Sequence, residues 1–137
     1  MPNTKPTDNT PLKPSGRPFV LVAEDDQFYA NIYKVKLAKE GYDVTVVGNG
    51  EWVLSVAKKR KPNIILLDLV MPVMDGFETL KALKKDPELA NINVIILSNL
   101  GQDEDIQTAK SLGAKDYLIK ANNSIQEVVA KIKQYVG

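Results

Sequence analysis

Glu24, Asp25 and Asp26 follow one short apolar run, Asp68 follows a second, Ser98 a third and Lys120 a fourth. Acids, a hydroxyl and an ammonium gathered at one place have a definite chemistry. Glu24, Asp25 and Asp68 repel one another when ionised, and one divalent cation together with Lys120 would neutralise them. The chain contains no histidine and no cysteine, so the available metal donors are oxygens. A few carboxylates with water suit Mg2+ better than Ca2+. A site with that ion, a nucleophilic carboxylate, a hydroxyl and an ammonium is equipped for phosphoryl transfer. The cations would neutralise the equatorial oxygens while the carboxylate attacks in line.

Each of these residues has a plainer role open to it. A single acid after a strand is commonly a helix N-cap, the role expected of Asp26, facing away from the site. A Ser there is commonly a turn residue, and a lone Lys is commonly solvated. The chemical reading rests on the agreement of four run ends. It also rests on Asp68, which interrupts the apolar stretch from Ile64 to Met71, where an unpaired acid is costly.

Composition narrows the function further. The 137 residues are 44% hydrophobic and 26% charged, enough for one globular domain. Without cysteine there is no disulfide scaffold, thiol nucleophile or Cys-based zinc site; without histidine there is no Ser-His-Asp triad. The net charge of +1 leaves no electrostatic footprint for direct nucleic-acid binding. No N-terminal stretch resembles a signal peptide, and the longest apolar runs, Ile64 to Leu67 and Val94 to Leu97, are too short to span a bilayer. The expectation is a cytoplasmic protein with no membrane insertion.

The elements that must position the site follow from periodicity. Pro2, Pro6, Pro11, Pro14 and Pro18 crowd the start, predicting a disordered Pro-rich tail over 1–18 and a folded unit over 19–137. Apolar runs at Phe19 to Ala23, Val44 to Val47, Ile64 to Leu67, Val94 to Leu97 and Tyr117 to Ile119 read as strands. Helical patterns alternate with them. The first places Phe28, Ile32, Val35 and Leu37 at mostly helical spacing and stops at Gly41; the second runs from Glu51 to Arg60. The third opens on Asp75 with Glu78 three residues on and ends at Asp86-Pro87. The fourth turns Ile106, Ala109 and Leu112 inward and stops at Gly113, and the last opens on the capping box Ser124 to Glu127. Ten alternating elements make a (βα)5 chain. Strands apolar on both faces predict a doubly wound, five-stranded parallel sheet, a three-layer flavodoxin-like sandwich whose site lies beyond the carboxyl ends of the strands.

At this point the residues resemble a known family. Glu24-Asp25-Asp26, the loop Asp68-Leu69-Val70-Met71-Pro72-Val73-Met74-Asp75-Gly76, Ser98 and Lys120 together resemble the CheY-like receiver domain of two-component response regulators. The resemblance covers residues 19 to 136. It implies a signalling domain rather than an enzyme, with Asp68 as phosphoacceptor. It also implies Mg2+ held by Asp25, Asp68, the Val70 carbonyl and, through water, Glu24. Ser98 would bind a phosphoryl oxygen, Lys120 would pair with Asp68 and then with its phosphate, and Tyr117 would be the aromatic switch beside Ser98. The implied partners are a histidine kinase or phosphotransfer protein as donor and a downstream protein target.

Two positions depart from the family pattern: Ala121 stands where a Pro usually follows the lysine, and Asn99 where a small residue is common. The loop 120 to 123 is therefore expected to differ in shape or to be more mobile, and Asn99 to narrow the entrance or add a hydrogen bond. Other readings fare worse. A haloacid-dehalogenase-type phosphatase needs a second acid where Val70 stands, and a dinucleotide site needs a Gly-rich turn where Glu24-Asp25 stand. The remaining alternative is a pseudo-receiver, a protein-binding module that works without phosphorylation.

Overall fold

The structure is a computed structural model, and it describes residues 16–136. The expected tail over 1–18 lies outside the described residues except for its last three. From there all ten expected elements form in order: β1 (Phe19–Ala23), α1 (Gln27–Lys39), β2 (Asp43–Val47), α2 (Gly50–Lys59), β3 (Ile64–Leu67), α3 (Gly76–Lys85), β4 (Asn93–Ser98), α4 (Asp103–Ser111), β5 (Asp116–Ile119) and α5 (Ile125–Val136). One short 3-10 turn, Lys120–Asn122, was not anticipated as an element.

The strands form one parallel sheet in the order β2-β1-β3-β4-β5. Period-two alternation splits its side chains between two cores. Leu21, Ile65, Leu67 and Ile96 pack with Val53, Leu80 and Ala109 under α2, α3 and α4. Val20, Val22, Leu66 and Ile95 pack with Leu37, Val128 and Ile132 under α1 and α5. Burial of the strands on both faces explains why each reads as an unbroken apolar run.

Capping fixes where the helices start. Asp75 accepts the Glu78 N–H at 2.9 Å while Glu78 returns a bond to the Asp75 N–H, and Ser124 and Glu127 repeat the arrangement on α5. Gly41 and Gly113 follow α1 and α4 with φ of 96° and 107°, a conformation open to glycine after a helix end.

Helix α1 differs from its apolar spacing. Its buried face is Ala30, Tyr33 and Leu37, whereas Phe28 and Val35 are exposed. The helix is apolar on two sides, so spacing alone does not select the buried one. In α4 only Ala109 is fully buried, and Ile106 and Leu112 are half-buried.

Candidate functional site

Sheet register assembles the site before any side chain is considered. Ala23 pairs with both Val47 and Leu67, so Glu24 and Asp68 leave adjacent strands at the same level. Their backbones extend the ladder, since the Glu24 N–H donates to Val47 at 2.9 Å and the Asp68 N–H to Ala23 at 3.1 Å. Ser98 pairs with Ile119, which brings Lys120 to the same edge. Between β1 and β3 the chain order reverses, and such a switch point leaves a crevice above the strands.

That crevice is a cleft of about 370 Å³ lined by Glu24, Asp25, Asp68, Val70, Ser98 and Lys120, with Tyr29, Asn99 and Leu100 on its walls. Ligand oxygens of Glu24, Asp25 and Asp68 lie within 4.8 Å of one another. Asp26 caps α1 by accepting the Phe28 N–H at 2.9 Å. It does not face fully away as expected, because it forms part of the cleft's rim.

Lys120 bridges the two buried acids. Its ammonium contacts Glu24 and stands 3.0 Å from Asp68 Oδ2, with only 6% of the side chain exposed. Burial pushes the Glu24 carboxyl up to about 7, against the opposing hydrogen bond from Lys120. Burial likewise raises the Asp25 carboxyl, and the Asp68 charge adds to it. For Lys120, burial disfavours the charged form, but the two carboxylates outweigh it and hold the ammonium above its ordinary value. The site carries more negative charge than one lysine balances. Three clustered carboxylates are hard oxygen donors, compatible with a divalent cation.

The loop after β3 is folded back tightly. The Gly76 N–H donates to the Leu69 carbonyl at 3.0 Å, and a Cβ on Gly76 would stand 2.3 Å from the Asp68 carbonyl oxygen. Only glycine permits that approach, which accounts for its place in the Asp-Gly pair opening α3. Ser98 is buried, and its Oγ accepts the Leu100 N–H at 3.3 Å. The Leu100 carbonyl in turn accepts the Tyr117 hydroxyl. Burial pushes that hydroxyl's pKa up to about 12, so it remains a donor. A hydrogen-bonded path thus joins Ser98 to Tyr117 on β5.

The two unusual positions meet. Asn99 Oδ1 accepts the Ala121 N–H at 3.1 Å, and Ala121 lies in the 3-10 turn that follows Lys120. The hydrogen bond expected of Asn99 is present, with Ala121 as its donor. Tyr29 was not foreseen in the site. Its ring lies beneath the Lys120 ammonium, at 4.7 Å from centroid to Nζ.

Comparison with known proteins agrees with this geometry. Residues 20–133 match the family model of the response regulator receiver domain, and the chain belongs to that family. It is 35% identical over 114 residues to a probable transcriptional regulator, ycf27, of Porphyridium aerugineum, covering 83% of this chain and 46% of the relative. Protein PilH of Pseudomonas aeruginosa is 36% identical over 103 residues, covering 74% of this chain and 84% of PilH. The chain spans just under half the length of the first curated relatives it matches. Among solved structures, the receiver domain of Francisella response regulator 1452 superposes with a TM-score of 0.80 at 35% identity, covering 88% of this chain and 97% of that one. Vibrio cholerae chemotaxis protein CheY4 superposes at 0.81 with 25% identity, covering 87% of this chain and 98% of that one.

The chain is therefore a receiver of phosphorylation-dependent two-component signalling, a signalling domain rather than a classical enzyme. A phosphorylation-independent pseudo-receiver is the poorer reading, because Glu24, Asp25, Asp68, Ser98 and Lys120 all line one cleft. No described helix is long and apolar enough to cross a membrane.

Proposed function

We propose that Asp68 accepts the phosphoryl group, with Mg2+ held by Glu24 (largely through water), Asp25, Asp68 and the Val70 carbonyl. The observation that carries this reading is the position of Asp68 at the β1/β3 crevice, 3.0 Å from the Lys120 ammonium and clustered with Glu24 and Asp25. When bound, the divalent ion supplies charge neutralisation for the phosphoryl oxygens.

One Asp68 oxygen attacks phosphorus, a P–O bond forms, and the bond from phosphorus to the donor's imidazole nitrogen breaks, the nitrogen keeping the electron pair. Lys120 then turns from the Asp68 carboxylate to a phosphoryl oxygen, and the Ser98 hydroxyl donates to another. Movement of Ser98 would pull the Leu100 segment and, through its carbonyl, Tyr117. The face formed by α4, β5 and α5 is thereby remodelled for a downstream protein target. A cytoplasmic location belongs to the same reading, as does a folded unit over 19–137.

The test is intact mass after incubation with acetyl phosphate or a phosphohistidine protein and Mg2+. Mass should rise by one phosphoryl, and Asp68→Asn should abolish the rise. Labelling that survives this substitution unchanged would overturn the assignment.

A further inference from the structure

The ammonium of Lys120 has three N–H bonds and two carboxylate partners, Glu24 and Asp68. Its third neighbour is an aromatic face: Nζ lies over the Tyr29 ring, 4.7 Å from the centroid. Tyr29 sits on the first turn of α1, three residues after the cap Asp26, and lines the cleft beside Asp68 and Lys120. The ring is held on two sides. Tyr33 stacks against it with centroids 6.0 Å apart and planes 20° apart, and Phe28 meets it edge-on at 5.5 Å and 78°. Tyr33 is itself buried in the core beneath α1 and α5.

We propose that Tyr29 is a positioning residue for Lys120, its ring face keeping the ammonium in the cleft while the ionic partners of that ammonium change. The proposal rests on the reading of Asp68 as phosphoacceptor and Lys120 as its cation. A carboxylate that takes a phosphoryl group becomes a mixed anhydride, and its own charge passes to the phosphoryl oxygens. A carboxylate drawn towards a divalent ion is a weaker partner for an ammonium. Both ionic contacts of Lys120 are therefore altered on activation, whereas the ring quadrupole is not. The flexible four-carbon stem gives lysine many alternatives, and a fixed third contact removes most of them. The attraction is at its stronger end here, because the Lys120 side chain is largely desolvated.

Two substitutions separate the ring face from mere bulk. Tyr29→Phe keeps the face, and Tyr29→Leu fills space without it. Affinity for beryllofluoride, an aspartyl-phosphate mimic, is measured by calorimetry on the full chain with Mg2+. Tyr29→Leu should weaken binding by about tenfold, and Tyr29→Phe should stay within about twofold of wild type. In a Lys120→Ala background, Tyr29→Leu should cause no further loss, since its effect runs through that ammonium. Equal losses in the Phe and Leu variants, or a loss that persists without Lys120, would overturn the proposal. A second readout needs neither metal nor mimic. The ε-methylene protons of Lys120 should be shifted upfield by the ring in wild type and Tyr29→Phe, and not in Tyr29→Leu. If wild type binds beryllofluoride but this shift is missing, the Tyr29 proposal alone fails. If wild type binds none, the phosphoacceptor reading has failed and the proposal falls with it.

Discussion

Asn99 accepts the backbone N–H of Ala121 at 3.1 Å, so the loop after β4 and the turn after Lys120 are tied together across the mouth of the cleft. A proline at position 121 would have no N–H to give, and the Asn99 side chain would lose this partner. Because the contact is exposed, Asn99→Ala should cost less than about 1 kcal/mol of stability. Hydrogen exchange at the Ala121 amide should nonetheless speed up markedly, while the α5 amides stay protected. Unchanged exchange at Ala121 would mean that the contact does not hold the turn.

Lys120 and Asp68 should have opposite effects on the metal-free fold. Lys120→Ala leaves the buried carboxylates of Glu24 and Asp68 without a resident cation, so about 3–5 kcal/mol should be lost in EDTA. Asp68→Asn keeps the shape and relieves repulsion with Glu24 and Asp25, so it should be more stable than wild type. Urea midpoints in EDTA check both, and a less stable Asp68→Asn would contradict the electrostatic account.

Glu24 ties stability to pH. Its folded pKa of about 7 lies above its ordinary value, so between the usual carboxylate range and pH 7 the folded state holds a proton that the unfolded chain has released. Metal-free stability should therefore fall as pH rises across that window. Asp116 acts in the other direction. Burial opposes ionisation there, but Lys131, the Tyr117 N–H and the Tyr135 hydroxyl hold its carboxyl low, a contribution present above its unfolded pKa and lost as pH falls through the folded one. Saturating Mg2+ should flatten or reverse the Glu24 effect, since a ligating carboxylate must be deprotonated. Urea midpoints at about pH 5 and about pH 8, with and without EDTA, read the sign. Rising metal-free stability over that interval would refute it.

Val73 stores strain in the loop that carries Val70. The Met74 N–H donates to the Pro72 carbonyl at 2.7 Å, closing a γ-turn around Val73, whose φ is 69°. A β-branched residue on that side of the map is costly, and Val73 is 64% exposed, so little packing offsets the cost. Val73→Gly should raise stability by about 1 kcal/mol, after allowing for the greater freedom of glycine in the unfolded chain. A lower denaturation midpoint would show that the turn is not strained.

Val70 and Leu100 border the cleft with apolar side chains, which cannot orient an attacking water. Val70→Asn/Leu100→Glu should shorten the lifetime of phosphorylated protein by about tenfold, equivalent to about 1.4 kcal/mol of barrier. A phosphate-release time course decides it, and an unchanged or slower rate would exclude the apolar shield.

Much of the fold was legible because strand and helix periods are local properties. The run Ile64 to Leu67 reads as a doubly buried strand without knowledge of its neighbours, and the pair Asp75 and Glu78 marks a helix start from four residues. The buried face of α1 was not legible, because Phe28 and Val35 are as apolar as the residues that bury. Which side meets the sheet depends on how α1 packs against β2 and α5, a matter of distant contacts.

The sequence by itself determined the element order, the parallel sheet and the residues at the strand ends, since those follow from hydrophobic period, capping and the cost of an acid among apolar neighbours. Only the tertiary structure decided how these residues meet. It set Lys120 between Glu24 and Asp68, laid the Tyr29 ring against its ammonium, joined Tyr117 to the Leu100 carbonyl and brought Asn99 to Ala121. Each of those contacts joins separate segments of the chain. Their geometry is fixed by sheet register and helix packing, which no local spacing encodes.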